Sequence, residues 1–128
     1  MIKHIDKIFP KINNVNMRKL KIDNEAITYI TIPCDTNKIV NIINKHLQKS
    51  NLLPKTTTII DAFAGAGGDT ISFSMNFLNV ISIEINKERS CDLENNIKEY
   101  NLQNVNIING NCIEVMKQLT TFDIVYLD

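Results

Sequence analysis

Four short apolar runs alternate with segments of helical spacing through the second part of the chain. The runs are rich in β-branched residues, as buried parallel strands are, and they lie at 57–60, 80–84, 105–108 and 122–128. The intervening segments carry apolar residues three or four positions apart, which predicts helices at 69–76, 87–100 and 113–119. This βαβαβαβ order requires right-handed crossovers. It predicts an α/β fold, a Rossmann-like doubly wound parallel sheet with the strand order 3-2-1-4.

The first 34 residues carry weaker patterns. A short helix and then a loop are predicted from isoleucines at helical spacing that Pro10 interrupts, namely Ile2, Ile5, Ile8 and Ile12. Residues 25–32 are rich in β-branched residues and predict a strand or an extended segment. Within it, Tyr29 is expected to be a half-buried strand residue, with stacking on a base as the less common alternative.

A helix is predicted up to about Ser50, with Asp35 or Thr36 as its N-cap and an apolar stripe along one side. Because this helix directly precedes the first strand, its N-terminus can point towards the same edge of the sheet. Thr36 is therefore a candidate for contact with a substrate. The chain divides on this interpretation into a basic extension, residues 1–34, and one domain, residues 35–128.

The stretch that joins the first predicted strand to the next helix reads DAFAGAGGDT, from Asp61 to Thr70. Its small residues let the backbone approach a ligand at the carboxyl end of a strand, where open α/β sheets bind ligands. A dinucleotide motif would have glycine in place of Thr70, and Asp61 and Asp69 would repel a phosphate. A P-loop is excluded because no Gly-Lys-Ser or Gly-Lys-Thr occurs. The stretch favours a cationic ligand, and S-adenosylmethionine, with its ammonium and sulfonium groups, suits it better than NAD.

A further carboxylate, Glu84, ends the second predicted strand 23 positions after Asp61. This is close to the interval of roughly 20 residues at which an acidic side chain accepts hydrogen bonds from ribose hydroxyls. The alternative is that both carboxylates are solvated residues at strand ends. The loop after the third strand contains Asn111 and Cys112 and would reach an adenine, since an asparagine oxygen can accept from an exocyclic amine.

Charge is distributed unevenly along a chain whose net charge is zero. Residues 1–55 carry ten Lys or Arg against four Asp or Glu, and residues 56–128 carry four against ten. A basic first part indicates a polyanionic substrate such as RNA, with Arg18, Lys19 and Lys21 as candidate contacts. A solvated basic surface is the alternative.

Three cysteines, widely spaced and without a CxxC motif, indicate neither a disulfide framework nor a metal site, so no metal is expected. No apolar run approaches the roughly 18 residues of a membrane span, and the N-terminus lacks the apolar core of a signal peptide. We therefore expect no membrane partner and a cytoplasmic or nuclear, reducing location.

Three motifs together, DAFAGAGGDT, ISIEIN and the terminal VYLD, resemble those of class I S-adenosylmethionine-dependent methyltransferases. Within that superfamily the chain is most similar to the trimethylguanosine synthase group, which methylates N2 of the RNA cap guanine. The likeness to this group rests on Phe63, on the pair Gly67-Gly68 and on Lys38-Ile39, where the family has Thr-Pro-Glu-Lys-Ile. The residues before Lys38, Asp-Thr-Asn, depart from that pattern.

The resemblance implies S-adenosylmethionine as cofactor and assigns residues to it. Asp61 and the backbone from Phe63 to Gly67 should hold the methionine end, and Asp69 with Thr70 should line the helix entry. Glu84 should hold the ribose, and Asn111 with Cys112 the adenine. Asn111 stands where the family commonly has Asp. The whole implied set is Asp61, Phe63, Ala64, Gly65, Gly67, Asp69, Thr70, Glu84, Ile85, Asn111 and Cys112.

Asp128 corresponds to the first residue of the family's Asp/Asn/Ser-Pro-Pro-aromatic motif, so the resemblance implies that it is catalytic and polarises the amine that is methylated. Nothing follows it in this sequence. The chain is therefore expected to be a cofactor-binding half, inactive by itself, that self-associates through an exposed fourth strand.

The predicted function is an S-adenosylmethionine-dependent RNA methyltransferase that acts on N2 of the 7-methylguanosine cap of capped RNA. One alternative keeps the fold and changes the substrate, to ribosomal RNA guanine N2 or DNA adenine N6. A different class of alternative is a non-catalytic subunit or truncated fragment with the cofactor fold that acts by binding a partner.

Overall fold

The structure is a computed structural model that describes residues 4–128, so Ile2 of the predicted first helix lies outside the described residues. One parallel sheet forms its centre, built from strands β1 (Thr58–Asp61), β2 (Asn79–Glu84), β3 (Val105–Asn109) and β4 (Ile124–Tyr126). The strand order is β3-β2-β1-β4, which confirms the predicted fold class and order. Asp61 pairs with Ser82 on one side and Tyr126 on the other, so the carboxyl ends of the central strands lie level at one edge.

Helices cover both faces of the sheet. They are α1 (Ile5–Ile8), α2 (Pro33–Lys49), α3 (Gly68–Asn76), α4 (Lys87–Glu99) and α5 (Cys112–Met116), with single 3₁₀ turns at Met17–Lys19, Ala26–Thr28 and Pro54–Thr56. Alternate residues of β1 point to opposite faces. Ile59 packs against α2 and α3, whereas Ile60 packs in the cluster that contains α5. None of the helices within residues 4–128 combines the length and the apolar character that crossing a membrane requires.

The segment before α2 packs against α4 and shares a core with it. The buried side chains of Phe9 and Leu20 lie in one apolar cluster with Leu93 of α4. Asn96 fixes the register, because its side chain accepts from the Lys21 N–H at 2.8 Å and donates to the Lys21 carbonyl at 2.7 Å. Burial of each large apolar side chain contributes roughly 1.5–3 kcal/mol. The role of residues 1–34 as a substrate-side extension stays a prediction, and the described residues 4–34 contribute Phe9 and Leu20 to the apolar core.

Two predictions in this first part are wrong. Residues 25–32 do not form a strand, because the Asp23 carboxylate accepts the N–H groups of Glu25 and Ala26 and so stabilises a 3₁₀ turn over Ala26–Thr28. Helix α2 begins at Pro33, where proline's fixed φ suits the first helical position, and not after a cap at Asp35 or Thr36.

The last two elements are shorter than predicted. Helix α5 spans Cys112–Met116, and β4 has three residues because only Ile124–Tyr126 find partners on β1. Within the described chain, β4 forms one edge of the sheet, and Phe122, Val125 and Leu127 are exposed. The edge expected from the strand order is therefore present, and self-association through it stays a prediction.

Candidate functional site

The glycine-rich turn between β1 and α3 is shaped by left-handed backbone and by close packing. Gly65 has φ +56° and Gly67 has φ +105°, conformations that side chains other than glycine rarely adopt. Gly68 is required by close packing, because an added Cβ would lie 2.7 Å from Cγ1 of Ile30 and 3.1 Å from the carbonyl oxygen of Thr31. The turn therefore brings backbone close to the segment that precedes α2.

Glu84 joins this turn to the end of β2. Its Oε2 accepts from the Gly65 N–H at 2.8 Å, and its Oε1 accepts from the Asn86 N–H at 2.9 Å. A carboxylate has about four acceptor positions, so each oxygen can still accept one further hydrogen bond. With 8% of its surface exposed, Glu84 is held in one orientation and still borders a cavity. This arrangement suits a carboxylate that accepts from ligand hydroxyls.

Two cavities of different character meet at the carboxyl edge of the sheet. The first, of about 290 Å³, is called the polar cavity because the charged side chains Asp69, Arg89 and Asp128 border it beside apolar residues. The second, of about 410 Å³, is bordered mainly by apolar side chains: Ala62, Ile83, Cys112, Ile113, Met116 and Leu127. Phe63, Glu84 and Ile85 border both cavities. A ligand with one charged end and one flat apolar end would fit this groove.

Asp61 lies beneath the turn and borders neither cavity. Its Oδ2 accepts from the Thr70 hydroxyl at 2.7 Å, and the Thr70 hydroxyl lies 2.7 Å from that of Ser82. Burial raises the pKa of Asp61 to about 7, and the negative charges of Asp69 and Asp128 act in the same direction. A cationic ligand in the polar cavity would favour the ionised carboxylate.

Two more carboxylates border the polar cavity. Asp69 accepts from the Thr36 hydroxyl at 3.1 Å, and Asp128 accepts from the Thr31 hydroxyl at 3.2 Å. Burial raises the pKa of Asp69 as well. Arg89 also borders this cavity, but its guanidinium is paired with Asp23 and Glu25. The cavity therefore has an excess of negative charge.

The predicted site residues fall into three groups. Those that border a cavity are Phe63, Ala64, Gly65, Asp69, Glu84, Ile85, Asn111, Cys112 and Asp128. Asp61, Gly67 and Thr70 lie beneath these and are buried. The exposed basic residues Arg18, Lys19 and Lys21 border neither cavity. The role of each residue towards a ligand stays a prediction.

Thr36 requires a correction. Its side chain is fully buried inside α2, and its hydroxyl donates to the Ile32 carbonyl and to Asp69. A direct contact with a substrate is therefore not available to Thr36, because α2 starts one turn earlier than predicted. It can orient the Asp69 carboxylate instead.

Asn111 borders the apolar cavity, but its side chain also caps a helix. Its Oδ1 accepts from the Ile113 N–H at 2.9 Å, at the start of α5. This oxygen has a second lone pair for a ligand amine.

Several bordering residues were not predicted from the sequence. Ile113 and Met116 have helical spacing, a signal that could have placed them on one face of α5. Tyr29 is 54% exposed at the polar cavity, where a half-buried strand residue was predicted, because its segment is a turn. For Arg89 no local signal exists, because its partners Asp23 and Glu25 are more than 60 residues away in sequence.

Comparison with known proteins identifies related chains. Residues 56–128 match the family described as RNA cap guanine-N2 methyltransferase. An uncharacterized protein of Acanthamoeba polyphaga mimivirus is 32% identical over 139 positions, which cover 94% of this chain and 54% of the relative. The chain thus spans about half the length of the curated relative that it matches.

Solved structures show a similar fold. The precorrin 8W decarboxylase of Methanobacterium thermoautotrophicum superimposes with a TM-score of 0.56 at 22% identity, over 69% of this chain and 46% of that one. A protein of Streptococcus mutans, described as a methyltransferase and solved in complex with SAH, gives a TM-score of 0.50 at 25% identity, over 62% of this chain and 45% of that one. These similarities agree with the strand order described above.

Proposed function

Because the chain belongs to the RNA cap guanine-N2 methyltransferase family, we propose that it binds S-adenosylmethionine and provides the cofactor-binding part of an RNA methyltransferase. The observation that carries this proposal is the two-part groove at the carboxyl edge of the sheet. S-adenosylmethionine has a charged methionine end and a flat adenine end, joined by a ribose. Glu84 lies at the junction, where the ribose of such a ligand would lie.

The residues present fit this cofactor. Asp69 and Asp128 offer negative charge to the ammonium and sulfonium groups, and Glu84 keeps acceptor capacity for the ribose hydroxyls. Ile113 and Met116 offer an apolar surface to the adenine. When bound, S-adenosylmethionine supplies the methyl group on its sulfonium. The chain's own residues orient the cofactor and exclude water from its charged end, while Asp128 is placed to accept from a substrate amine.

The cofactor proposal is tested by isothermal titration of the chain with SAH, S-adenosylmethionine and NAD. We expect Glu84→Gln to weaken SAH binding by roughly 1.5–3 kcal/mol, because a charged acceptor is lost while the side chain keeps its shape. Glu88→Gln is the matched control, since Glu88 lies exposed on the next helix and borders neither cavity. Tighter binding of NAD than of SAH would contradict the proposal.

For the substrate we propose capped RNA, methylated at N2 of the 7-methylguanosine. The family description supports the cap guanine, and the exposed side chains of Arg18, Lys19 and Lys21 support a polyanion. Their segment is held on α4 because the side-chain amides of Asn95 and Asn96 donate to the carbonyls of Lys19 and Lys21. Within residues 4–128 none of the three basic residues forms a salt bridge. Their charges are therefore free for phosphates.

Binding of capped and uncapped oligonucleotides at several salt concentrations tests this substrate. Joint replacement of Arg18, Lys19 and Lys21 by Gln should reduce the salt dependence by up to about three phosphate contacts. Cofactor affinity should stay unchanged, because these residues lie away from both cavities. If the triple replacement leaves the salt dependence of RNA binding unaltered, these three residues form a solvated surface and do not contact RNA. Equal affinity for capped and uncapped RNA would favour another nucleic acid, such as ribosomal RNA or DNA.

A further inference from the structure

One wall of the polar cavity comes from the segment before α2, outside the glycine motif and the strand ends. Ala26, Tyr29, Ile30 and Thr31 border the cavity together with Gly65 and Asp69. We call residues 23–31 the wall segment. The methyltransferase family match begins only at residue 56, so this wall lies outside the matched region.

The wall segment fits closely onto the start of α3. A Cβ at position 68 would lie 2.7 Å from Cγ1 of Ile30 and 3.1 Å from the Thr31 carbonyl oxygen, closer than van der Waals contact, so the segment fits this closely because residue 68 is glycine. The Thr31 hydroxyl also donates to Asp128 at 3.2 Å. The segment is thus positioned against two groups of the proposed site.

Arg89 joins the wall segment to α4. Its Nε donates to Oδ2 of Asp23 at 2.7 Å, its Nη2 donates to Glu25, and its guanidinium carbon lies 5.6 Å from the centre of the Tyr29 ring. The other oxygen of Asp23, Oδ1, accepts the Ala26 N–H at 2.8 Å. A single carboxylate therefore connects the backbone of the turn that carries Tyr29 to the guanidinium.

The same helix start is fixed by the proposed ribose-binding carboxylate. Asn86 caps α4 by accepting the Arg89 N–H at 3.1 Å, and its own N–H donates to Glu84. Only 17% of the Arg89 side chain is exposed, against 37% of Asp23 and 76% of Glu25, so solvent screens the pair with Asp23 less than the pair with Glu25. Arg89 also lowers the pKa of Asp23 through their hydrogen bond.

We propose that Arg89 is a positioning residue for cofactor binding: through Asp23 and Glu25 it holds the wall segment, with Tyr29, against the polar cavity, so that a bound cofactor leaves only when this segment moves. The inference rests on the proposed function. It assigns to the first part of the chain a role in retaining the cofactor, in addition to any contact with RNA.

The test compares the intact chain with Arg89→Met, Arg89→Lys and Tyr29→Ala. Dissociation and association rates of SAH are measured by stopped-flow displacement, and hydrogen exchange of the Tyr29 and Ile30 amides is measured without ligand. Both amides donate to the Ala26 carbonyl within the wall segment. The matched control is Lys98→Met, which removes an exposed ion pair with Glu94 on the same helix.

We expect Arg89→Met to raise the dissociation rate by about five- to fiftyfold, within the roughly 5- to 150-fold range that is typical of coupling between two sites. The association rate should change much less. Hydrogen exchange of the two amides should accelerate in Arg89→Met. Both rates should be intermediate in Arg89→Lys, because lysine keeps the charge but lacks the planar fork of arginine. Both rates in Lys98→Met should match those of the wild type. Tyr29→Ala should raise the dissociation rate while the melting temperature stays near that of wild type.

A folded Arg89→Met chain with wild-type dissociation and exchange rates would overturn the inference. If Arg89→Met does not fold, Arg89→Lys and Tyr29→Ala decide the question by the same two measurements. If the wild-type chain binds no SAH, the proposed function fails. In that case the exchange measurement alone decides whether Arg89 holds the wall segment.

Discussion

The two cavities at the carboxyl edge of the sheet are built in different ways. The polar cavity is bordered by groups that hydrogen bonds and ion pairs hold in place, such as Glu84, Asp69 and the wall segment. The apolar cavity is bordered by side chains with large exposed fractions, 61% for Ile113 and 64% for Leu127. Directional bonds orient groups before a ligand arrives, whereas apolar contacts only remove surface from water. We therefore expect the polar cavity to determine which ligand binds, and the apolar cavity to add affinity with little discrimination.

The largest expected effect is on folding stability and comes from Asp61, which lies between the polar cavity and the core. The pKa of its carboxyl rises from 3.8 to about 7 on folding, so the folded chain holds a proton that the unfolded chain releases. The protonated Asp61 carboxyl therefore stabilises the folded chain. This stabilisation is complete below pH 3.8 and is lost as the pH rises through about 7. Asp61→Asn should remove this loss and, above pH 7, should stabilise the chain without ligand by up to about 4 kcal/mol. Urea unfolding from pH 4 to pH 8 measures the difference.

Asp69 and Asp92 also have raised pKa values and Asp23 a lowered one, so these three groups also change the stability of the chain with pH. The contribution of Asp61 is therefore measured as the difference between the stability curves of Asp61→Asn and of the wild type.

The same linkage predicts that binding of cationic S-adenosylmethionine releases protons near neutral pH. Its affinity relative to neutral SAH should therefore rise between pH 6 and pH 8. A constant ratio in the wild type, or parallel stability curves for wild type and Asp61→Asn, would contradict the assignment of a buried, protonated Asp61.

The second largest expected effect is also on folding stability and comes from the Thr70 hydroxyl beneath the polar cavity. Thr70→Val keeps the side-chain shape but removes the donor to Asp61 and the bond to Ser82. At pH 8, where Asp61 is largely ionised, the loss should cost about 1–3 kcal/mol of stability, and at pH 5 it should cost less. Denaturant unfolding at the two pH values checks this. Equal costs at both values would show that Thr70 acts by packing alone.

The apolar cavity should respond more weakly. Ile113→Ala shortens an exposed side chain at the adenine end and should reduce SAH affinity by about 1 kcal/mol, with little change in folding stability. Titration calorimetry and a thermal melt on the same sample separate the two quantities. An affinity loss as large as that of Glu84→Gln would show that the apolar cavity also orients the ligand.

The smallest effect on the site is expected from the open edge of the sheet. We propose that β4, with Val125 and Leu127 exposed, promotes self-association of this chain. Val125→Lys should shift the chain towards the monomer while leaving SAH affinity nearly unchanged, because Val125 borders neither cavity. Gel filtration with light scattering measures the mass, and a wild-type chain that is monomeric at high concentration would refute the proposal.

The order of strands and the place of the site followed from the sequence, because they depend on local properties. β-Branched runs that alternate with helices along the chain, such as that ending at Asp61, form the strands of the sheet, and right-handed connections then leave few topologies. The glycines of the turn and the acidic residue at position 84 lie at or just after the ends of predicted strands. They therefore mark the carboxyl edge of the sheet from local sequence alone. Nine of the predicted site residues accordingly border the two cavities.

Tertiary structure decided what lies around that edge. The 25–32 segment has the composition of a strand, but Asp23 caps a turn there, and Arg89, from a distant helix, holds that carboxylate. The burial of Thr36 likewise depends on where α2 starts and on its contact with Asp69. The Asp23 cap is local, but the contact of Thr36 with Asp69 and that of Arg89 with Asp23 join residues that are 33 and 66 positions apart in sequence. Their geometry exists only once the helices pack, and for that reason no local pattern in the chain encodes them.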